Sequence, residues 1–281
     1  MKGDFLERIL FILREYGLSM LGGAGTTLLI AIVGTFFGCV IGFVVGVIQT
    51  IPVEPRDSKV KKVLLKIVRA ILRIYVEVFR GTPMMAQAMF IKYGMLLLFG
   101  VDMSMWFAAF FIVSINTGAY MAETVRGGVM SIPLGQTEGA KAIGMNHIKT
   151  MTYVVMPQCL RNILPQIGNN LIINIKDTCV LSCIGTVELF FVSKSVSGAY
   201  YKYFEVYTIT MVMYLCMTLF FSFLLRRIEK KMDGPKAYKL VATGAPGYDV
   251  GTKDTLAYTS GNLIVPDSVQ VDDRKLSDPH E

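Results

Sequence analysis

The apolar positions of this chain fall into long blocks separated by short polar stretches. Apolar sequence dominates about 22–48, 83–99, 105–121, 163–192 and 206–225. At 1.5 Å rise per residue, a helical block near 20 residues crosses a hydrocarbon core. The pattern predicts an all-α membrane protein with about five transmembrane helices. The last block is the cleanest, because 206–225 contains no charge.

Two finer periodicities sit inside this outline. In the first block Gly34, Gly38, Gly42 and Gly46 recur at every fourth residue. On a helix they form one smooth ridge that lets another helix come close in a membrane, where area burial does not drive association. Packing on the protein's own helices is favoured over a subunit interface. After the break at Ile51-Pro52 and Pro55, the stretch 59–79 places Val60, Val63, Leu64, Ile67, Val68 and Ile71 at helical spacing, with lysines opposite. That is an amphipathic helix lying at the membrane interface or entering from it.

Composition agrees: 53% of the 281 residues are hydrophobic, only 17% are charged, and the mean hydropathy is +0.52. A soluble domain carries roughly 25% charge. The net charge of +7 is concentrated in Arg56–Arg73 and in Arg226–Lys231. Juxtamembrane Lys and Arg hold a loop on the cytoplasmic side. Five crossings then put the N-terminus outside, the C-terminus inside and the polar segment 123–161 in the cytoplasm. Residues 1–21 read as an extracytoplasmic N-terminal segment without a cleavable signal. The Gly-, Pro-, Asp- and Ser-rich residues 232–281 read as a polar cytoplasmic tail, disordered by composition.

Other chemistries find little support. No aromatic-interleaved basic fold speaks for nucleic acid. Cys39, Cys159, Cys179, Cys183 and Cys216 sit singly among apolar residues, without zinc or disulfide spacing. The histidines, His147 and His280, lack ligand spacing, so no metal site and no catalytic set is expected. No GxxxxGK[ST] phosphate loop occurs either: Gly139 and Gly144 have its glycine spacing, but Met145 stands where lysine is required.

The polar segment 123–161 is long for a connection between spans. Helix-compatible sequence at 136–145 and 147–156, punctuated by Gly144, Pro157 and Pro165, reads equally as a docking knob or as an amphipathic connector. Its run Gly135-Gln136-Thr137-Glu138-Gly139-Ala140-Lys141-Ala142-Ile143-Gly144-Met145 resembles the EAA loop of ABC importer permeases. Phe79-Arg80-Gly81-Thr82-Pro83, the run from Ala119 to Gly128, and Lys176-Asp177-Thr178 with Glu188-Leu189 resemble the polar amino-acid branch of that family. The resemblance spans about 22–228 and implies one ABC transporter transmembrane domain over 22–231.

The resemblance implies a permease subunit, not itself an enzyme, in the bacterial cytoplasmic (inner) membrane as a multi-pass protein. It would work with two ABC ATPase subunits, a second identical or homologous permease, an extracytoplasmic amino-acid-binding protein and the surrounding lipid. ATP and Mg would bind on the ATPase and no cofactor on this chain. Gly135, Glu138, Gly139, Ala140, Ala142, Gly144 and Met145 would form the docking and turn residues. Gly139 departs from the usual alanine, and glycine lowers helix stability by about 0.5–1 kcal/mol. A looser helix, firmed by its partner, is expected.

Polar and ionisable groups at membrane depth mark the candidate solute path. Asn169, Asn170, Asn174, Lys176 and Asp177 interrupt the fourth block. Asn116, Tyr120 and Glu123 share one helical face, although Glu123 has Arg126 within reach. Arg80, Thr82 and Gln87 flank Pro83, and the resemblance adds Thr178 and Glu188. Structural ion pairing or packing is the alternative for each set. The rival for the whole chain is a secondary transporter or channel subunit not driven by ATP; such carriers often show an inverted repeat, and no internal similarity is visible here.

Overall fold

The computed structural model describes residues 4–53 and 58–232. Arg56 and the tail 232–281, apart from the backbone of Met232, lie outside the described residues. Within them the chain is helical, without strands: α1 (Phe5–Thr50), α2 (Lys59–Gly81), α3 (Met84–Phe99), α4 (Met105–Met130), α5 (Leu134–Ala142) and α6 (His147–Thr150) come first. A π turn (Met151–Val155) leads into α7 (Met156–Asp177), a 3₁₀ segment (Thr178–Ile184), α8 (Leu189–Tyr200) and α9 (Tyr203–Met232).

Three described helices, α1, α4 and α9, are long and apolar enough to cross a membrane. The helical stretch from α6 through the 3₁₀ segment, with α8, makes a fourth span if it counts as one, bent by 55°. The remaining apolar block of the sequence forms α3, whose 16 residues are shorter than the others.

The glycine ridge explains how the bundle closes. Gly34, Gly38, Gly42 and Gly46 meet Val113, Thr117, Met121 and Val125 of α4 in register, one glycine per turn. A methyl group at Gly38 would lie 2.5 Å from Thr117 Cβ, and one at Gly46 2.7 Å from Val125 Cβ. No side chain fits there, so the two backbones run in direct contact. The ridge packs within the protein, as favoured from its spacing. Higher on α1, Gly23 receives the backbone of Glu188 and Leu189 in the same way.

Three boundaries differ from the sequence expectation. Residues 5–21 are not a separate segment: a capping box of Asp4 and Glu7 starts α1, which continues unbroken through the first apolar block. The charges that hid this turn are accommodated on the helix, where Arg8 pairs with Glu205 at 2.9 Å and Tyr16 hydrogen-bonds Tyr200 at 2.9 Å. Likewise α4 does not stop at 121 but runs to Met130, so the expected loop 123–161 shortens to the connection that carries α5. The fourth block, 163–192, is not one helix: it breaks after Asp177, and Gly185 turns the chain with φ +86°.

Overpacking a close contact costs about 1–3 kcal/mol, so Gly42→Leu should lower the thermal midpoint in detergent sharply or abolish monodisperse elution. Gly22→Leu, on the same helix where a side chain meets open space, should elute as the wild type does.

Candidate functional site

Some members of each of the three polar sets from the sequence line one cavity. Thr82, from the break between α2 and α3, Asn116 and Tyr120 of α4, and Asp177 at the end of α7 line a space of about 330 Å³. Thr117, Asn170 and Asn174 complete its polar wall. The site is built where two helix irregularities, the Pro83 break and the 3₁₀ segment after α7, meet the face of α4.

The wall is held rigidly. Gln87 is buried and donates to Phe79 O (2.9 Å), Thr82 O (2.9 Å) and Thr82 Oγ1 (2.8 Å), while Asn116 Nδ2 donates to Gln87 Oε1 at 2.9 Å. One amide thus ties α2, α3 and α4 together behind the cavity. On the opposite side Asn174 Nδ2 donates to Thr35 Oγ1 (2.7 Å) and Thr117 Oγ1 (2.9 Å), linking α7 to both helices of the glycine-packed pair. Buried polar groups satisfied in this way fix a unique arrangement. Asn174 stood out in the sequence as a polar interruption of the fourth block, whereas Thr35 and Thr117 carry no special spacing and only their convergence on it identifies them.

The other nominated residues separate. Arg80 and Glu123 line a second, larger cavity of about 620 Å³ between the α5-side ends of α1 and α4 and the adjoining face of α2. Arg80 also lies over the Tyr120 ring, 5.8 Å from its centroid, and so borders the first cavity from behind. Glu123 is paired with Arg126. Asn169 faces a third space beside Arg226 and Glu229 of α9. Lys176 is exposed, whereas Thr178 is fully buried and donates to Ile175 O at 3.0 Å.

Glu188 lies away from the cavity and has a structural place. It is fully buried (0% exposed) and N-caps α8, accepting from Phe190 N (2.8 Å) and Phe191 N (2.7 Å). Tyr214 and Thr27 hydroxyls also donate to it, at 3.0 and 3.4 Å. A carboxylate at a helix N-terminus is stabilised by the free backbone N–H groups and the helix dipole.

At the far end of the bundle, α5 stands between α4 and α6 as a short helix. Gly135, Glu138, Gly139, Ala142 and Gly144 are exposed, Met145 is half-buried, and Ala140 alone turns inward (6% exposed) as α5 packs on the π turn. Gly144 has φ +81°, and the bonds Gly144 N to Lys141 O (2.9 Å) and Met145 N to Ala140 O (3.1 Å) close a Schellman turn. Leu134 and Ile143, 77% and 78% exposed, flank the helix. The result is a short glycine-terminated knob that carries two bare apolar side chains.

Comparison with known families decides the class. Residues 62–234 match the model of the binding-protein-dependent transport system inner membrane component. The chain belongs to that family. It is 35% identical over 214 residues to the glutamine transport system permease protein GlnP of Escherichia coli (strain K12), covering 76% of this chain and 92% of the relative. It is 30% identical over 213 residues to the arginine transport system permease protein ArtQ of Bacillus subtilis (strain 168), covering 76% and 92%. Among solved structures, a chain of an amino acid ABC transporter crystallised with histidines superposes with a TM-score of 0.70 at 32% identity, over 82% of this chain and 100% of that one. The MetNI methionine ABC transporter shares the fold at 22% identity, with a TM-score of 0.61 over 75% and 95%. As an inner-membrane transport component, this family member is a permease subunit.

Losing a helix cap costs about 0.5–2 kcal/mol. Glu188→Ala, which also leaves buried donors unpaired, should therefore lower the thermal midpoint in detergent clearly. Asp177→Ala, on the cavity wall, should shift it little. Equal shifts would remove the distinction between the buried cap and the cavity wall.

Proposed function

We propose that this chain is the permease subunit of an ATP-driven importer for a polar amino acid. It docks separate ATPase subunits through α5 and passes its solute along the cavity between α3, α4 and α7. The observation that carries this function is the exposed, Gly144-terminated α5 knob on a chain whose relatives are named for glutamine and arginine transport. A binding-protein-dependent system also needs an extracytoplasmic binding protein and a second permease, identical or homologous, to complete the path. ATP and Mg belong on the ATPase.

The topology fits five crossings of the cytoplasmic membrane, with the N-terminus outside and the C-terminus inside. The α2 and α3 helices together form one broken crossing, and α7, the 3₁₀ segment and α8 another. The basic residues of α2 and of the end of α9 then share the cytoplasmic side with α5.

The chemistry of the cavity suits a zwitterion. Asp177 supplies a carboxylate for an α-ammonium group. The amides of Asn116, Asn170 and Asn174 and the Tyr120 hydroxyl offer donors and acceptors for a carboxylate and a polar side chain. Most of these groups already bond to protein, so binding there is weak, as a path requires. On this account ATP binding draws the ATPase subunits together, α5 moves with them, and the helices around the cavity open toward the loaded binding protein. Such coupling demands that α5 contact the ATPase differently in the two states.

Co-purification tests the docking. An ATPase should be retained by the solubilised wild type and lost when 135–144 is scrambled or Glu138 is changed to lysine, with membrane insertion unchanged. Retention by the scrambled variant would place the contact elsewhere. Gly139→Ala, which meets open space, should raise the helicity of α5 and leave docking intact.

A further inference from the structure

The larger cavity holds charges that the solute path does not use. Arg69, Arg73, Arg80 and Arg126 face Glu77 and Glu123 across it. Four guanidinium groups against two carboxylates leave a net charge of +2. Glu123 is taken by Arg126, with Nε to Oε2 at 3.0 Å, and Arg80 stacks on Tyr120. Arg69 and Arg73 have no hydrogen bond or ion pair among the described residues, and Arg69 Nε is buried without an acceptor. A buried donor with no acceptor is costly and calls for one.

From this we infer that the cavity binds the phosphodiester of an anionic phospholipid from the leaflet on the α5 side, with Arg69 and Arg73 holding the phosphate. Guanidinium groups bind phosphate through paired N–H donors, which no lysine can reproduce. The setting supplies the rest of a lipid site. Val129 and Met130 line the same cavity, Met130 68% exposed, and offer apolar contact for the upper acyl chains, while Ile67, Ile71, Ile74 and Val78 form an exposed apolar face on the other side of α2. Basic pockets between membrane helices on the cytoplasmic side are where acidic headgroups settle. Glu77 refines the choice: it accepts hydrogen bonds from glycerol hydroxyls and repels a second negative charge. The headgroup favoured is therefore of the singly charged phosphatidylglycerol type.

A lipid there would wedge α2 against the ends of α1 and α4, next to the Glu123–Arg126 pair and below Arg80. The helix that carries the Pro83 break would then feel the composition of the membrane. This role stands whether or not the chain moves an amino acid.

Native mass spectrometry of the full-length protein in detergent, with added dioleoyl phosphatidylglycerol, tests the site. The wild type should retain one phosphatidylglycerol about tenfold more tightly than phosphatidylcholine, and Arg69→Gln/Arg73→Gln should weaken it by about 30-fold. The control Lys59→Gln/Lys66→Gln removes the same charge from the exposed start of α2 and should weaken it by no more than about threefold. If the arginine pair does not yield folded protein, Arg73→Gln alone should weaken binding by about fivefold. Equal losses in the arginine and lysine variants would reduce the effect to surface charge and overturn the site. So would indifference between the two lipids. Displacement by millimolar inorganic phosphate would identify a free-oxyanion site and overturn the lipid assignment.

Discussion

The contact between α1 and α4 at the glycine ridge is the constraint on which the rest of the bundle depends. In a bilayer, lipid tails are as apolar as leucine, so two helices associate only through close packing and hydrogen bonds. Four glycines placed one turn apart remove every side chain from that face of α1, and Val113, Thr117, Met121 and Val125 fill the groove they leave. Because both backbones are in direct contact, the register cannot slide by less than a full turn. Everything attached to α4, including the cavity wall and the stem of α5, inherits that register.

The polar bonds of the bundle build on the same pair. Asn174 reaches Thr35 and Thr117, which sit beside the ridge on its two helices, and so locks α7 to them. At the other end of α1, Gly23 and Thr27 receive the start of α8, where Glu188 caps the helix. One helix therefore positions both halves of the broken span on either side of its bend. The cavity lies where that bend and the Pro83 break leave α4 uncovered. A movement of α5 would reach it through the short turn at 131–133 and then along α4 itself.

Much of this was legible in the sequence because it is written as period or motif. The glycine ridge has a four-residue repeat, the EAA-like loop has an ordered motif, and Gly144 sits where a tight turn requires a positive φ. What was hidden had the wrong local chemistry for its structure. The charges Glu7, Arg8, Arg14 and Glu15 disguised the first four turns of α1 as a loose segment. Glu123, Thr124 and Arg126 made the end of α4 look like a loop, although an ion pair three residues apart supports the helix there. The apolar run 163–192 conceals a 55° bend, because a 3₁₀ segment and a helix can be equally hydrophobic. Thr117 in the cavity wall and Glu188 as a cap depend on contacts between residues far apart in the chain, which no window reveals.

In the proposed function ATP, through a partner docked on α5, drives a polar amino acid across this bundle. The most direct test is uptake of radiolabelled glutamine by liposomes holding this chain with its ATPase and binding protein. ATP inside and binding protein outside should both be required, and an imposed proton or sodium gradient should not replace them. Uptake driven by the gradient alone, without ATP, would show a secondary transporter instead.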